Sequence, residues 1–267
     1  MVIVGFNIAS FKLKKIVKTG SIFPVALMIL KVAVPTVVYT ALLHFVFGPF
    51  TWQNLLLIGN FFTERNPNGF GYWFIEVYVQ IQCVLMALLA VPAVRQMATS
   101  NIRLTSYLFV ISSSSIMLVC ISVWDTSQWH DRLPWLLLWA IAFGFAARFS
   151  ENLIDRILLV CAFTVLSLFY MQGISWVLIL GYALLVFNPG VRLPVGVSTV
   201  VNYIAAGSLF IYLTHFQFAS AVEKLMGPSP WVSAIVALTG GATLFHIYNR
   251  VINKPVTANL RNKGYVV

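Results

Sequence analysis

Roughly eight stretches of this chain, each of about 15–27 residues, are almost purely apolar, and that pattern admits very few folds. A hydrocarbon layer of about 30 Å takes about 20 apolar residues per helix, and every backbone N–H and C=O inside it must be bonded within the span. Charged side chains make up 9% of the 267 residues and hydrophobic ones 60%. A soluble domain carries about 25% charged residues. The expected fold is therefore all-α, a polytopic integral membrane helical bundle of about eight transmembrane helices.

The spans read from the sequence are Ser21–Phe47, Gly71–Val94, Leu104–Val123, Pro134–Phe149, Ile157–Met171, Ser175–Phe187, Thr199–Phe218 and Pro230–Asn249. Those within 134–198 are short and closely spaced, and a re-entrant segment is an alternative reading of the sixth. A single integral membrane domain is expected over 1–267. It has a basic N-terminal segment over 1–20 and a tail over 250–267.

With the N-terminal segment in the cytoplasm, thirteen of the seventeen Lys and Arg residues fall on that side. They are Lys12, Lys14, Lys15, Lys18, Arg95, Arg103, Arg148, Arg156, Arg192, Arg250, Lys254, Arg261 and Lys263. Only Arg65, Arg132 and Lys224 are left outside, and Lys31 lies within a span. The asymmetry predicts cytoplasmic termini at both ends. The net charge of +10 matches retention beside an anionic inner leaflet and calls for membrane lipid as partner, with no nucleic acid.

Residues 1–11, MVIVGFNIASF, are too short to span and make a poor signal peptide. Cys83, Cys120 and Cys161 lie one per span without a CxxC or a neighbouring His, so neither a disulfide framework nor a metal site is expected. The outer loop Gly48–Phe70 contains LLLIGNFF, which reads as a piece lying in the membrane interface.

Chemistry must then rest on the few polar groups placed where they are costly. In GYWFIEVYVQIQ, Trp73, Glu76 and Gln80 recur at helical spacing near the outer end of the second span. Glu76 reads either as a base or substrate clamp, or as an interfacial carboxylate reaching water. In SLFIYLTHFQF, Ser208, Tyr212 and His215 form a second stripe. His215 is a candidate general base, or the donor of an interhelical hydrogen bond. His44 has the same two readings. Lys31, ten residues into its span and one turn before Pro35, is expected to face an internal polar cavity. His246, close to Arg250, reads as phosphate binding or packing, and His130 as a solvated loop residue.

Three of these segments, VGFNIASFKLKKIVKTGSIFPVAL, YWFIEVYVQIQ and SLFIYLTHF followed by INKPVTANLR, resemble in order and spacing the membrane acyltransferase 3 family, over essentially the whole chain. The resemblance implies a bacterial inner-membrane enzyme of usually about ten spans. Such enzymes move an acyl group, commonly acetyl or succinyl, from cytoplasmic acyl-CoA to a hydroxyl of a cell-surface or periplasmic glycan. It implies acyl-CoA as co-substrate with no bound cofactor or metal, a glycan acceptor, and further partner helices or a homo-oligomer. Trp73, Glu76 and Gln80 would belong to the active cavity and Tyr212 and His215 to its outer wall. Lys12, Lys14, Lys15 and Lys18 would meet the acyl-CoA phosphates. Family members open with a span carrying Arg and then a His that serves as base. No such span precedes Lys12, so the chain looks two spans short: either His44 or His215 takes that role, the missing helices come from elsewhere, or the chain is an inactive relic. The competing readings are a glycan or lipid-intermediate transport component, or a non-catalytic relative that depends on partner helices.

Overall fold

The computed structural model describes residues 1–13, 16, 20–47, 52–62, 72–123, 133–170, 175–187 and 193–262. Among them the fold is helical and contains no strand. Helix α1 (Val2–Asn7) runs on through a π-helical turn to Lys12. It is followed by α2 (Phe23–Phe47), the short α3 (Trp52–Leu55), α4 (Trp73–Ala90), α5 (Pro92–Ser100), α6 (Ile102–Val123), α7 (Pro134–Phe149), α8 (Leu153–Tyr170) and α9 (Ser175–Phe187). The series ends with α10 (Val195–Ala206), α11 (Ser208–Met226), α12 (Pro230–Tyr248) and α13 (Lys254–Asn262). Prolines open α5, α7 and α12, where a missing N–H costs nothing because the first turn has no carbonyl to bond.

Five of these helices are long and apolar enough to cross a membrane: Phe23–Val46, Trp73–Ala90, Ile102–Val123, Leu153–Tyr170 and Pro230–Val256. Shorter apolar helices cover Val2–Lys12, Pro134–Phe149 and Ser175–Phe187. The chain is thus a helical protein with the make-up of an integral membrane protein. Large apolar side chains such as Leu42, Ile111 and Leu158 stand exposed on the outer faces of the long helices. Hydrocarbon, unlike water, imposes no penalty on that arrangement.

The chain divides into two compact units, Met1–Gly190 and Val191–Val267. In the first, α1 and α7 cross with their backbones in contact. A Cβ added at Gly5 would run into the backbone of Ile141, and one at Gly144 into the backbone of Val2. Residues 1–11, too short to span, thus form a helix seated on α7 and bury Ile8 and Ala9 there. Beside this crossing, Trp139, Phe143, Phe163 and Tyr182 interlock as an aromatic core, and the Tyr182 hydroxyl donates to the Phe143 carbonyl at 3.1 Å.

Helices α2 and α4 pack together and run antiparallel. Tyr39 meets Tyr72 edge-on at 6.4 Å at one end, and Arg95 donates to the Gly20 carbonyl at the other. On the latter, basic side the N-termini of α6 and α8 are joined by Arg103, whose Nη2 donates to the buried Asp155 carboxylate at 2.6 Å. Asn152 caps α8 there by accepting from the Asp155 N–H at 2.8 Å.

In the second unit, α10 and α11 meet at Gly207 with a bend of 74°. The sequence pattern predicts one span over Thr199–Phe218, and the structure divides that stretch between two helices that bend at Gly207. Gly207 is the cause. Glycine is the weakest helix former after proline, and here it also admits α12, since an added Cβ would lie 2.8 Å from the Ala242 Cα. Gly241 repeats the device against α11, where its Cβ would come within 2.5 Å of the Ile211 Cα.

Candidate functional site

The first polar constellation belongs to the segment over 52–62 and to α4. After α3, the chain turns through Leu57, which holds a left-handed backbone at φ 56°, a conformation that costs a bulky residue about 1–2 kcal/mol. It then enters a 3₁₀ turn over Gly59–Phe61. The Glu76 carboxylate accepts hydrogen bonds from the backbone N–H groups of Gly59 and Asn60. Those are the free donors that open the turn, and a carboxylate is the acceptor that best satisfies them.

One helical turn further along α4, the Gln80 amide completes the hold. Its Nε2 donates to the Leu57 carbonyl at 2.8 Å and to Asn60 Oδ1 at 2.7 Å. Asn60 Nδ2 returns a bond to Gln80 Oε1 at 3.0 Å. Glu76 is 3% exposed and Asn60 4%, so these bonds are shielded from competing water. Gly59 leaves room for both side chains, since a Cβ would sit 2.9 Å from Glu76 Oε1 and meet Asn54 Oδ1, so both side-chain ends would have to shift. The loop is further pinned by Phe61, which stacks on Trp135 of α7 at 5.9 Å. LLLIGNFF is therefore a folded segment fastened to α4 and α7.

This explains Glu76 and Gln80 as partners of a backbone turn. Trp73 points elsewhere and packs against the apolar cluster of Ile8, Val77, Ile81, Leu85, Leu137 and Ile141. Asn54, Gly59 and Asn60 were not singled out from the sequence. The signal was present in the Gly-Asn pair interrupting an otherwise apolar run.

The second constellation lies on α11, in the other unit. His215 Nδ1 is 2.6 Å from the Tyr212 carbonyl. A carbonyl only accepts, so Nδ1 carries the hydrogen and a neutral ring presents Nε2 as a proton acceptor. The Tyr212 ring lies 5.6 Å from the imidazole, and Phe216 packs on it at 3.9 Å. His215 and Tyr212 are half-buried, whereas Ser208 is exposed at the start of the helix. Near the bend, His246 stacks nearly parallel on Tyr203 at 4.1 Å.

The remaining candidates are dispersed. His44 is buried near the end of α2. Lys31 is exposed on α2, which corrects the expectation of an internal cavity: the helix turns its Thr36, Thr40 and His44 inward and Lys31 outward. Lys12 closes the π-helical turn after α1. Lys14, Lys15, Lys18 and His130 lie outside the described residues. Among the described residues no group of three or more His, Cys, Asp and Glu could hold a metal ion.

No protein-family model, curated protein or solved structure matches this chain.

Proposed function

We propose that this protein is an O-acyltransferase of the bacterial inner membrane. It moves an acetyl or succinyl group from cytoplasmic acyl-CoA to a hydroxyl of a cell-surface or periplasmic glycan. The observation that supports it is the 2.6 Å approach of His215 Nδ1 to the Tyr212 carbonyl, which favours the tautomer with its hydrogen on Nδ1. It leaves Nε2 able to take a proton, as direct acyl transfer requires.

In that reaction the sugar oxygen forms a bond to the thioester carbonyl carbon while Nε2 of His215 takes the hydroxyl proton. Collapse of the tetrahedral intermediate breaks the C–S bond, and the imidazolium returns the proton to the departing CoA sulfur. Tyr212 is the candidate donor to the oxyanion, and His44 is the alternative base. Glu76 and Gln80 hold the segment that carries Asn54 and Asn60 within the first unit. The basic group Lys12, Lys14, Lys15 and Lys18 meets the CoA phosphates.

The test uses the full chain in proteoliposomes with labelled acetyl-CoA or succinyl-CoA and glycan acceptors. CoA release that depends on the acceptor, and that falls by about 10²–10⁴-fold in His215→Ala, supports the assignment. Turnover unchanged in both His215→Ala and His44→Ala removes it.

The 74° break at Gly207 favours a second reading, a transport component for a glycan or lipid intermediate, since discontinuous helices line substrate sites in many transporters. Such a protein moves its substrate across the vesicle without consuming acyl-CoA, which the same preparation distinguishes.

A further inference from the structure

Helix α12 runs for 19 residues from Pro230 to Tyr248, about 28 Å at about 1.5 Å per residue. That length matches a hydrocarbon layer of about 30 Å. The helix does not stop there. It passes through a π-helical turn over Asn249–Asn253, where the Lys254 N–H bonds the Asn249 carbonyl, and continues as α13. Arg250 and Lys254 are thus fixed one turn apart on continuous helix, just past the apolar length and at the level where lipid headgroups begin.

Both side chains are exposed, and among the described residues neither makes a hydrogen bond or an ion pair. The unit Val191–Val267 contains one acid, Glu223. It lies in the last turn of α11, next to the start of α12, so the length of α12 separates it from Arg250. The sequence continues with Arg261 and Lys263. Positive charge therefore accumulates at this end with no carboxylate of the unit to balance it.

An apolar feature adjoins the two cations. Leu244, Ile247 and Val251 are exposed and follow at spacings of three and four, a stripe that leads from the cations back along α12. One turn before Arg250, Tyr203 of α10 stacks on His246 at 4.1 Å, so α10 bounds the patch at that level. A free phosphate would meet the cations alone. A phosphate attached to an acyl chain meets the cations and the stripe together.

We propose that Arg250 and Lys254 bind the phosphate of an anionic phospholipid whose acyl chain lies along Leu244, Ile247 and Val251. Cations at the membrane surface attract such lipids, and a guanidinium takes two phosphate oxygens at once. The site rests on α12 crossing a membrane and stands apart from the acyltransferase reading.

The experiment uses the full chain in phosphatidylcholine vesicles doped with phosphatidylglycerol that carries a diazirine on its acyl chain. Irradiation followed by peptide mapping is expected to place adducts within 244–251, and unlabelled phosphatidylglycerol should compete them away. Arg250→Gln with Lys254→Gln should lower these adducts by about tenfold or more. Adducts on Leu153–Tyr170 of the first unit should persist, which shows that the variant still inserts. Arg250→Lys with Lys254→Arg keeps both charges and should keep the adducts. Diazirine-bearing phosphatidylcholine, tested on the parent chain, should label 244–251 at least tenfold less, and this comparison decides the matter if the neutral pair fails to insert. Equal labelling by the two lipids, labelling unchanged in the neutral pair, or displacement of the lipid by inorganic phosphate alone would each overturn the proposal.

Discussion

Gln80 and Asn60 exchange two side-chain hydrogen bonds across twenty residues of sequence, Nε2 to Oδ1 at 2.7 Å and Nδ2 to Oε1 at 3.0 Å. The pair closes the turn that Glu76 opens, so α4 holds the segment over 52–62 at two successive levels. Replacing Gln80 by Leu strands the Asn60 amide and the Leu57 carbonyl in a buried place. An unsatisfied buried polar group costs about 1–3 kcal/mol. Gln80→Leu is therefore expected to release the segment over 52–62 and expose it to proteolysis or to thiol labelling at an introduced Leu57→Cys, where the parent side chain is buried. The aromatic core around Trp139 should stay intact by tryptophan fluorescence. Labelling equal to that of the parent chain would show that the amide pair does not hold the segment.

The glycines of the α1–α7 crossing face each other's backbones, Gly5 against Ile141 and Gly144 against Val2. A methyl group has nowhere to go at either place, since backbone rather than a movable side chain blocks it. Gly5→Ala and Gly144→Ala are each expected to destabilise the first unit by about 1–3 kcal/mol, the usual range for overpacking. Gly181, whose added Cβ meets nothing within 4 Å, supplies the control. Gly181→Ala should be neutral or slightly stabilising through helix propensity alone. Thermal melts in detergent micelles compare the three, and equal melting temperatures would rule out the close crossing.

Arg103 and Asp155 bind α6 to α8 with unequal exposure, the Arg side chain at 40% and the Asp side chain at 11%. Removing the partner that is more open to solvent leaves the buried one uncompensated. Arg103→Met should therefore cost more than the double variant Arg103→Met/Asp155→Leu, in which no buried charge remains. The single substitution is expected to cost less than breaking a fully buried pair, because the guanidinium is solvated. Unfolding in denaturant reads the order of the two. A double variant less stable than the single would overturn this account.

Helix existence was legible because an apolar run in a membrane has no other way to satisfy its backbone. Pro134–Phe149 and Ser175–Phe187 come out with the same bounds in sequence and structure. Three things were hidden. The bend at Gly207 was masked because both halves are apolar, and hydropathy registers no change of direction. The seating of residues 1–11 on α7 depends on two glycines 139 residues apart in sequence, a pairing no local pattern records. The outward face of Lys31 is set by which side of α2 packs on α4: Thr36, Thr40 and His44 recur at helical spacing on the buried side, and Lys31 lies across the helix from them, a weak polar stripe that was not read from the sequence. Within the candidate site, the helical spacing of Glu76 and Gln80 correctly put them on neighbouring turns. That their partner would be the backbone of LLLIGNFF could not be read, because a carboxylate that caps a turn and one that serves as a base look alike in sequence.

The bend itself offers the most direct check on the second unit. Gly207 lets α11 approach α12, and Tyr203, one turn before it, stacks on His246 with the rings 4.1 Å apart and 11° from parallel. Gly207→Val places a branched side chain where the Ala242 Cα stands 2.8 Å from the first added carbon. The neighbour is backbone, so the helices must separate or the bend must straighten. Either movement draws residue 203 away from residue 246. With cysteines at both positions, introduced as Tyr203→Cys and His246→Cys, a short bifunctional maleimide is expected to join them rapidly when residue 207 is Gly. The rate should fall at least tenfold when it is Val. Gly196→Val serves as the control, since an added Cβ there meets nothing within 4 Å and cross-linking should be unaffected. Undiminished cross-linking in Gly207→Val would mean that α10 and α12 are held together by something other than the glycine contact.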